Sequence, residues 1–247
     1  AESDGTPDFF ASDIPPVGEL DLEQPRIYFG EFSPPYSIVG APEGTPPVEL
    51  DYPDDASPSG QTNTTYQGSG GVDMGTLFGR LLFATKFQDT NILLSDLVNS
   101  ESQIMWDRDP LTRVGKVAPW LTLDQDPYPV VVDGRIKWIV DGYTLSNDFP
   151  YSTRVSLAEA TADSISGANF AAGLIARDRV NYMRNSVKAV VDAFEGTVSL
   201  YAWDEADPVL KTWRKAFPDV VEPRADMPDD IIEHVRYPQD LFKVQRA

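Results

Sequence analysis

Seven side chains between residues 124 and 143 carry the chemistry this sequence can offer: Asp124, Asp126, Tyr128, Asp133, Arg135, Asp141 and Tyr143. Clustered carboxylates beside a cation and two phenols suit the binding of a polar ligand, and an oxygen-only set suits calcium or magnesium. Asp124-Gln125-Asp126-Pro127 nonetheless lacks the spacing of a helix–loop–helix calcium site, with no glycine at the sixth position and no glutamate at the twelfth. A pair of carboxylates can also supply the acid and base of a glycoside hydrolase. With 39 Asp and Glu in the chain some such pair is always at hand, so the pairing alone selects nothing. Each residue also has a plainer use. Asp133-Gly134 suits a tight turn, where glycine accepts positive φ. Arg135 can neutralise a neighbouring acid, and the tyrosines can fill a core.

The residues that are missing narrow the chemistry further. His234 is the only histidine, and no Gly-x-Ser-x-Gly elbow supplies a nucleophile for it. There is no cysteine, hence no thiol nucleophile, disulfide or thiolate metal site. Gly68-Ser69-Gly70-Gly71 precedes a helical stretch, but no Lys-Ser or Lys-Thr follows, so the phosphate-cradling loop pattern fails. No catalytic residue, resident metal or cofactor is assigned; calcium is the ion kept as an alternative for the carboxylates. The formal net charge of -19 repels phosphate backbones and anionic lipid headgroups and favours solubility, cations and basic partners. Nucleic acid is therefore not an expected partner. No run approaches the roughly 20 apolar residues that cross a bilayer as a helix.

The elements that position the seven residues are legible from their turns. Tyr128–Val132 and Arg135–Thr144 flank Asp133-Gly134 and predict a hairpin at about 128–144. Val130 and Val132 are expected on one face, Tyr128 and Val131 on the other, with the strand inside a sheet; Ile136, Trp138 and Val140 share a face of the return strand. A second hairpin is expected at about 186–203 across Phe194-Glu195-Gly196. Short strands are expected at 26–31, 36–40, 48–52 and 104–106, and a loop over 53–71. Met74, Leu77, Phe78, Leu81, Leu82 and Phe87 at helical spacing predict an amphipathic helix over 73–87, and a second short one starts at Asn91. Asp207-Pro208 is a cap followed by a first-turn proline, opening a helix whose stripe is Val209, Leu210, Trp213 and Phe217. Two further short helices begin near Pro228 and Tyr237. Hairpins with interspersed helices make the fold class α+β with antiparallel pairing. Residues 1–25 read as an extended acidic, proline-containing arm, and 26–247 as a single module with a flexible Ala/Ser-rich insert at 156–176. The chain does not begin with Met and stops inside a helix, so it reads as a piece of a longer polypeptide.

Several stretches, in order, resemble the bacterial uncharacterised protein family 0182, a group of large multi-spanning membrane proteins. They include Lys116-Val117-Ala118-Pro119-Trp120-Leu121-Thr122, Asp126-Pro127-Tyr128-Pro129, Trp138-Ile139-Val140-Asp141-Gly142-Tyr143-Thr144, Asn181-Tyr182-Met183-Arg184-Asn185-Ser186-Val187-Lys188 and Asp207-Pro208-Val209-Leu210. Gly79, Phe83 and Phe194 depart from the family pattern. The resemblance implies hydrophobic spans before this piece, more soluble chain after it, and a position outside the cytoplasmic membrane. It implies no activity. The resulting expectation is an extracytoplasmic ligand- or partner-binding, scaffolding module of a bacterial integral membrane protein. Its partner is an envelope protein or a small ligand, and it meets the membrane through segments absent from this chain. The alternatives are a carboxylate-dependent envelope hydrolase and a calcium-stabilised structural ectodomain. The expected binding groove lies beside the first hairpin and takes in the seven residues named above.

Overall fold

The computed structural model describes residues 11–12, 16–161 and 179–246. Most of the expected 156–176 insert and of the N-terminal arm lies outside the described residues. Where the arm is described, β1 (Ala11–Ser12) and β2 (Val17–Gly18) form a two-residue ladder. Farther on, the Gln24 amide donates to the Gly134 carbonyl at 2.9 Å, which lays this segment on the turn of the first long hairpin.

The expected strand at 26–31 does not form. The amides of Tyr28 and Phe29 both donate to the Ala193 carbonyl at 2.8 Å, which folds the backbone on itself and buries Phe29. Next come β3 (Tyr36–Val39), β4 (Glu49–Pro53), β5 (Gln61–Thr64) and β6 (Val72–Asp73). The β5 strand falls in the stretch expected to be a loop. Gln61-Thr62-Asn63-Thr64 has no apolar residue to announce it, but it pairs with β4 in a hairpin that stays half in solvent. Helix α1 (Leu77–Phe87) is capped by Thr76, whose side chain accepts from the Gly79 amide, so it starts later than expected and leaves Asp73 in β6. It is followed by α2 (Asn91–Leu94) and β7 (Gln103–Trp106); β3, β7 and β6 form a three-stranded antiparallel sheet.

Apolar residues surround α1, and only one side is covered. Phe83, Ala84 and Phe87 pack with Met74, Ile92 and Ile104. Leu77, Phe78, Leu81 and Leu82 are 77%, 69%, 50% and 54% exposed, and Leu94 and Leu97 extend the same kind of surface. The spacing correctly signals a helix, but the residues expected to form its buried stripe are mostly outward.

A proline after an aspartate opens α3 (Pro110–Val117), with the Asp109 carboxylate accepting from the Thr112 amide at 2.7 Å. The main sheet then assembles from β8 (Thr122–Leu123), β9 (Tyr128–Val132) and β10 (Arg135–Ser146). After β11 (Val155–Ser156), α4 (Leu157–Ala160) and β12 (Arg179–Val180), it is completed by β13 (Tyr182–Asp192) and β14 (Val198–Ala202). The order is β14-β13-β10, antiparallel throughout, with β9 and β8 following one another along the far side of β10. The strand expected to be interior, β9, is thus an edge strand. Tyr128, expected on the face opposite Val130 and Val132, shares theirs, as strict alternation requires, and all three pack with Ile139, Val190, Met227 and Ile231. The opposite face of the sheet, with Trp138, Val140, Val187, Ala189 and Leu200, is covered by Val114 of α3 and by Leu210 of the next helix.

That helix is α5 (Pro208–Ala216), and α6 (Asp229–Glu233) and α7 (Gln239–Arg246) end the described chain. Leu210 is buried and Trp213 stacks on Trp120 at 5.1 Å, but Phe217 is 49% exposed because the helix stops before it. The α+β class with antiparallel hairpins stands as the chain's architecture.

Candidate functional site

The seven expected residues separate along β10. At about 3.4 Å per residue, Arg135 and Asp141 lie some 20 Å apart. Asp133 and Gly134 form the turn, with φ of 53° and 67°. Asp133 lies 3.7 Å from Lys137, and Arg135 lies 3.8 Å from Asp192 and over the Phe194 ring. These two belong to the turn and its supports.

The other five meet at the opposite end, where β10 and β13 face each other across an irregular register. Asp141 pairs with Lys188 and Gly142 with Val187, but Tyr143 pairs with Asn185, so Ser186 is an extra residue. This bulge brings polar side chains from neighbouring positions into the interior. Lys188 donates its ammonium to Asp141, and both are buried, at 0% and 4% exposure. Asn185 adds an amide hydrogen bond to the same carboxylate at 2.8 Å. Beside them the Tyr143 hydroxyl donates to Asp124 at 2.5 Å, and Asp124 also accepts from the amides of Asp126 and Asp240. The Gln239 amide, oriented to suit its neighbours, donates to Asp126.

What these side chains hold is a piece of backbone. Between α6 and α7 the Arg236 amide donates to the Tyr128 hydroxyl at 3.0 Å, and the Arg236 carbonyl accepts from Lys188 at 3.2 Å. The Asp240 amide reaches Asp124 at 2.9 Å, and the Leu241 amide reaches the Tyr143 hydroxyl at 3.3 Å. The guanidinium of Arg236 also lies over the Tyr128 ring at 4.6 Å. An irregular segment cannot satisfy its own amides, so sheet side chains do it. Burial pushes the Lys188 ammonium down and the Asp141 carboxyl up, each opposed by the other's charge. Burial, with Asp124 alongside, pushes the Tyr143 phenol far up, and burial pushes Tyr128 up to about 12. Both phenols are hydrogen-bond donors or acceptors at neutral pH and offer no phenolate. Asn185 Oδ1 is buried without a partner among the described residues.

Past the bulge, another buried carboxylate closes the other side. Asp207 caps α5 by accepting from the Val209 and Leu210 amides, and it also accepts from Thr144, Ser186 and Tyr182. Burial works against this charge, but the donors outweigh it and hold the carboxyl below its usual value. Among the described residues, no group of three or more His, Asp and Glu is arranged to hold a metal ion.

An open cleft lies elsewhere, between residues 25–28, β3, β4, β5 and the turn that follows β7. It encloses about 470 Å³, within the usual size of a small-molecule site. Arg26 and Asp51 form a bidentate pair there, at 2.8 and 2.5 Å. Glu49 accepts from the amides of Gly40 at 2.7 Å and Tyr66 at 3.1 Å. Arg108 enters from the turn between β7 and α3. Asp107 before it is in the left-handed region, with φ of 50°, and Asp109 after it caps α3. This pinned backbone sends Asp107 toward Lys116 and Arg108 toward the cleft.

Sequence reasoning missed Lys188, although a lysine within Val187-Lys188-Ala189-Val190-Val191 is a visible anomaly in a buried strand. It also missed Arg108, which sits between two aspartates and gives no local sign of burial.

All 247 residues match the model of an uncharacterised protein family, UPF0182. The chain is 53% identical over 245 residues to a UPF0182 protein of Clavibacter michiganensis, covering 99% of this chain and 24% of that protein. It is 54% identical over 247 residues to one from an Arthrobacter species, again 99% of this chain and 24% of the relative. A Tropheryma whipplei relative is 54% identical over 243 residues, covering 98% of this chain and 25% of that protein. The chain thus spans about a quarter of the length of the curated relatives it matches. No solved structure matches it significantly. Matched from end to end by the family model and at more than half identity by its members, the chain belongs to the uncharacterised protein family UPF0182.

Proposed function

We propose that this chain is an extracytoplasmic binding and scaffolding module of a larger bacterial integral membrane protein, and that its α1–α2 face seats against the remainder of that same polypeptide. The observation that carries the reading is the apolar face itself. Leu77, Phe78, Leu81 and Leu82 of α1, Leu94 of α2 and Leu97 in the turn that follows are each half or more exposed. Several large apolar side chains exposed on one region, on a chain of net charge -19, support a contact there. Relatives carry about three times as much additional polypeptide, and a segment tethered to the same chain meets this face at high effective concentration. The buried polar cluster suits a scaffold, since it fixes the segment leading into α7 on the sheet.

The test expresses this chain and the remainder of a full-length relative as two polypeptides and asks whether they copurify. Association is expected, and Phe78→Asp with Leu81→Asp should abolish it while leaving the melting temperature of the isolated chain within a few degrees. Failure to associate, or association unaffected by the double variant, overturns the docking reading. Binding of the isolated chain to lipid vesicles instead assigns the face to the bilayer. Placement outside the membrane rests on the family resemblance. It is tested by Ser59→Cys in the full-length protein, with labelling of intact cells by an impermeant maleimide; labelling only after lysis overturns it.

A further inference from the structure

The cleft around Arg108 has no part in the α1–α2 contact, and we propose that it binds an organic monocarboxylate. The carboxylate pairs with the Arg108 guanidinium, and the apolar body lies along Ile27, Tyr28, Ile38 and Leu50.

Arg108 is only 8% exposed. Its Nε donates to the Tyr28 carbonyl at 2.6 Å, and no carboxylate among the described residues lies within ion-pair distance of it. Burial pushes this guanidinium below its ordinary value, opposed by the neighbouring Tyr28 phenol and by no carboxylate; it remains a cation all the same. A buried cation without a counter-ion is costly. In a chain with 39 acidic and 20 basic residues, a carboxylate partner would have been easy to supply. The acids that border the same cleft are already committed: Asp51 to Arg26, and Glu49 to two backbone amides. The guanidinium is also held in place, by the left-handed Asp107 on one side and the helix cap at Asp109 on the other. Non-glycine residues in that backbone region concentrate at functional sites.

The charge of the cleft selects among anions. Arg26 and Arg108 are balanced by Glu49 and Asp51, so the cleft is formally neutral before a ligand enters. A monoanion is accommodated by one guanidinium, whose fork matches a planar carboxylate in two hydrogen bonds. A dianionic phosphate would face Glu49 and Asp51 with its second charge unmatched. Apart from Ser37 and Thr64 the remaining walls are aliphatic and aromatic, and the Tyr28 ring is itself fixed edge-on against Tyr66 and Phe194 at 4.6 and 5.4 Å. An apolar acyl or aryl body therefore completes the fit.

Titration of the whole chain with octanoate, octanamide and octyl phosphate, followed by calorimetry or by shifts of the Tyr28 and Ser37 amide resonances, tests this. Octanoate should bind, and the neutral amide should bind at least about tenfold more weakly, the equivalent of one charge-assisted hydrogen bond. Octyl phosphate should also be weaker than octanoate. Arg108→Gln should remove the preference for acid over amide. Should that variant fail to fold, Leu50→Glu, at an exposed position on the cleft wall, should weaken octanoate several-fold and octanamide much less. No binding of octanoate, equal binding of acid and amide, or tighter binding of octyl phosphate overturns the proposal.

Discussion

Two buried cations in this molecule have opposite surroundings. Lys188 sits on the central sheet against Asp141, with the Arg236 carbonyl and the Asn185 amide completing the group. Arg108 sits at a sheet-to-helix turn with one backbone carbonyl and an open cleft in front of it. Both are buried, Lys188 fully and Arg108 nearly so. The difference lies in satisfaction: the first has been closed by the protein's own groups and holds a segment in place, whereas the second is left facing solvent space. Burial of a charge therefore does not identify a binding site until its partners have been accounted for.

The comparison is broken or sharpened by removing each charge in turn. Lys188→Met should have the largest effect, because it strands Asp141 in the interior; a loss of about 3–5 kcal/mol is expected from urea unfolding. Combining it with Asp141→Leu should recover much of that loss. A double variant as unstable as the single one would show that Lys188 acts by packing alone. Tyr143→Phe comes next. It deletes the donor to Asp124 and the acceptor of the Leu241 amide, for about 1.5–3 kcal/mol, and hydrogen exchange at Leu241 should quicken more than exchange in β13. Arg108→Gln should cost the least, about 1 kcal/mol, since it removes one hydrogen bond, to the part-buried Tyr28 carbonyl, and strands no charge. A loss as large as that at Lys188 would make Arg108 a structural residue and remove the contrast.

Asp207 supplies a pH arm to the same comparison. Its carboxyl is held below the ordinary aspartate value in the folded state, with burial opposed and outweighed by its donors. The charged form is therefore preferred by folding. Stability from this group is fully present above the unfolded aspartate value of about 3.9 and is lost as the pH falls through the lower folded value. Asp207→Asn should lower stability at neutral pH and flatten that acid limb. An acid limb unchanged in the variant would assign it to other carboxylates.

Much of the scaffold was legible because its signals are local. Asp133-Gly134 between alternating apolar runs places the first hairpin, and Asp207-Pro208 places the start of α5. The β5 strand was not legible, since a solvent-facing ladder of Gln, Thr and Asn needs no hydrophobic pattern. The face of α1 was misread for the opposite reason: apolar residues on every side leave no periodicity to say which side is covered. For the site, five of the seven residues named from the hairpin do come together, but they do so around a buried latch and away from the open cleft.

From its own residues the chain determined its Asp-Gly turn, the start of α5, its acidity and its family, because neighbours along the backbone set φ and ψ preferences and charges add regardless of position. Tertiary structure alone decided that Lys188 meets Asp141 while Arg108 meets no acid. A single extra residue at Ser186 sets the cross-strand register, and whether a charge is matched depends on groups far away in sequence. Desolvation is a property of the assembled neighbourhood, and no local pattern encodes it.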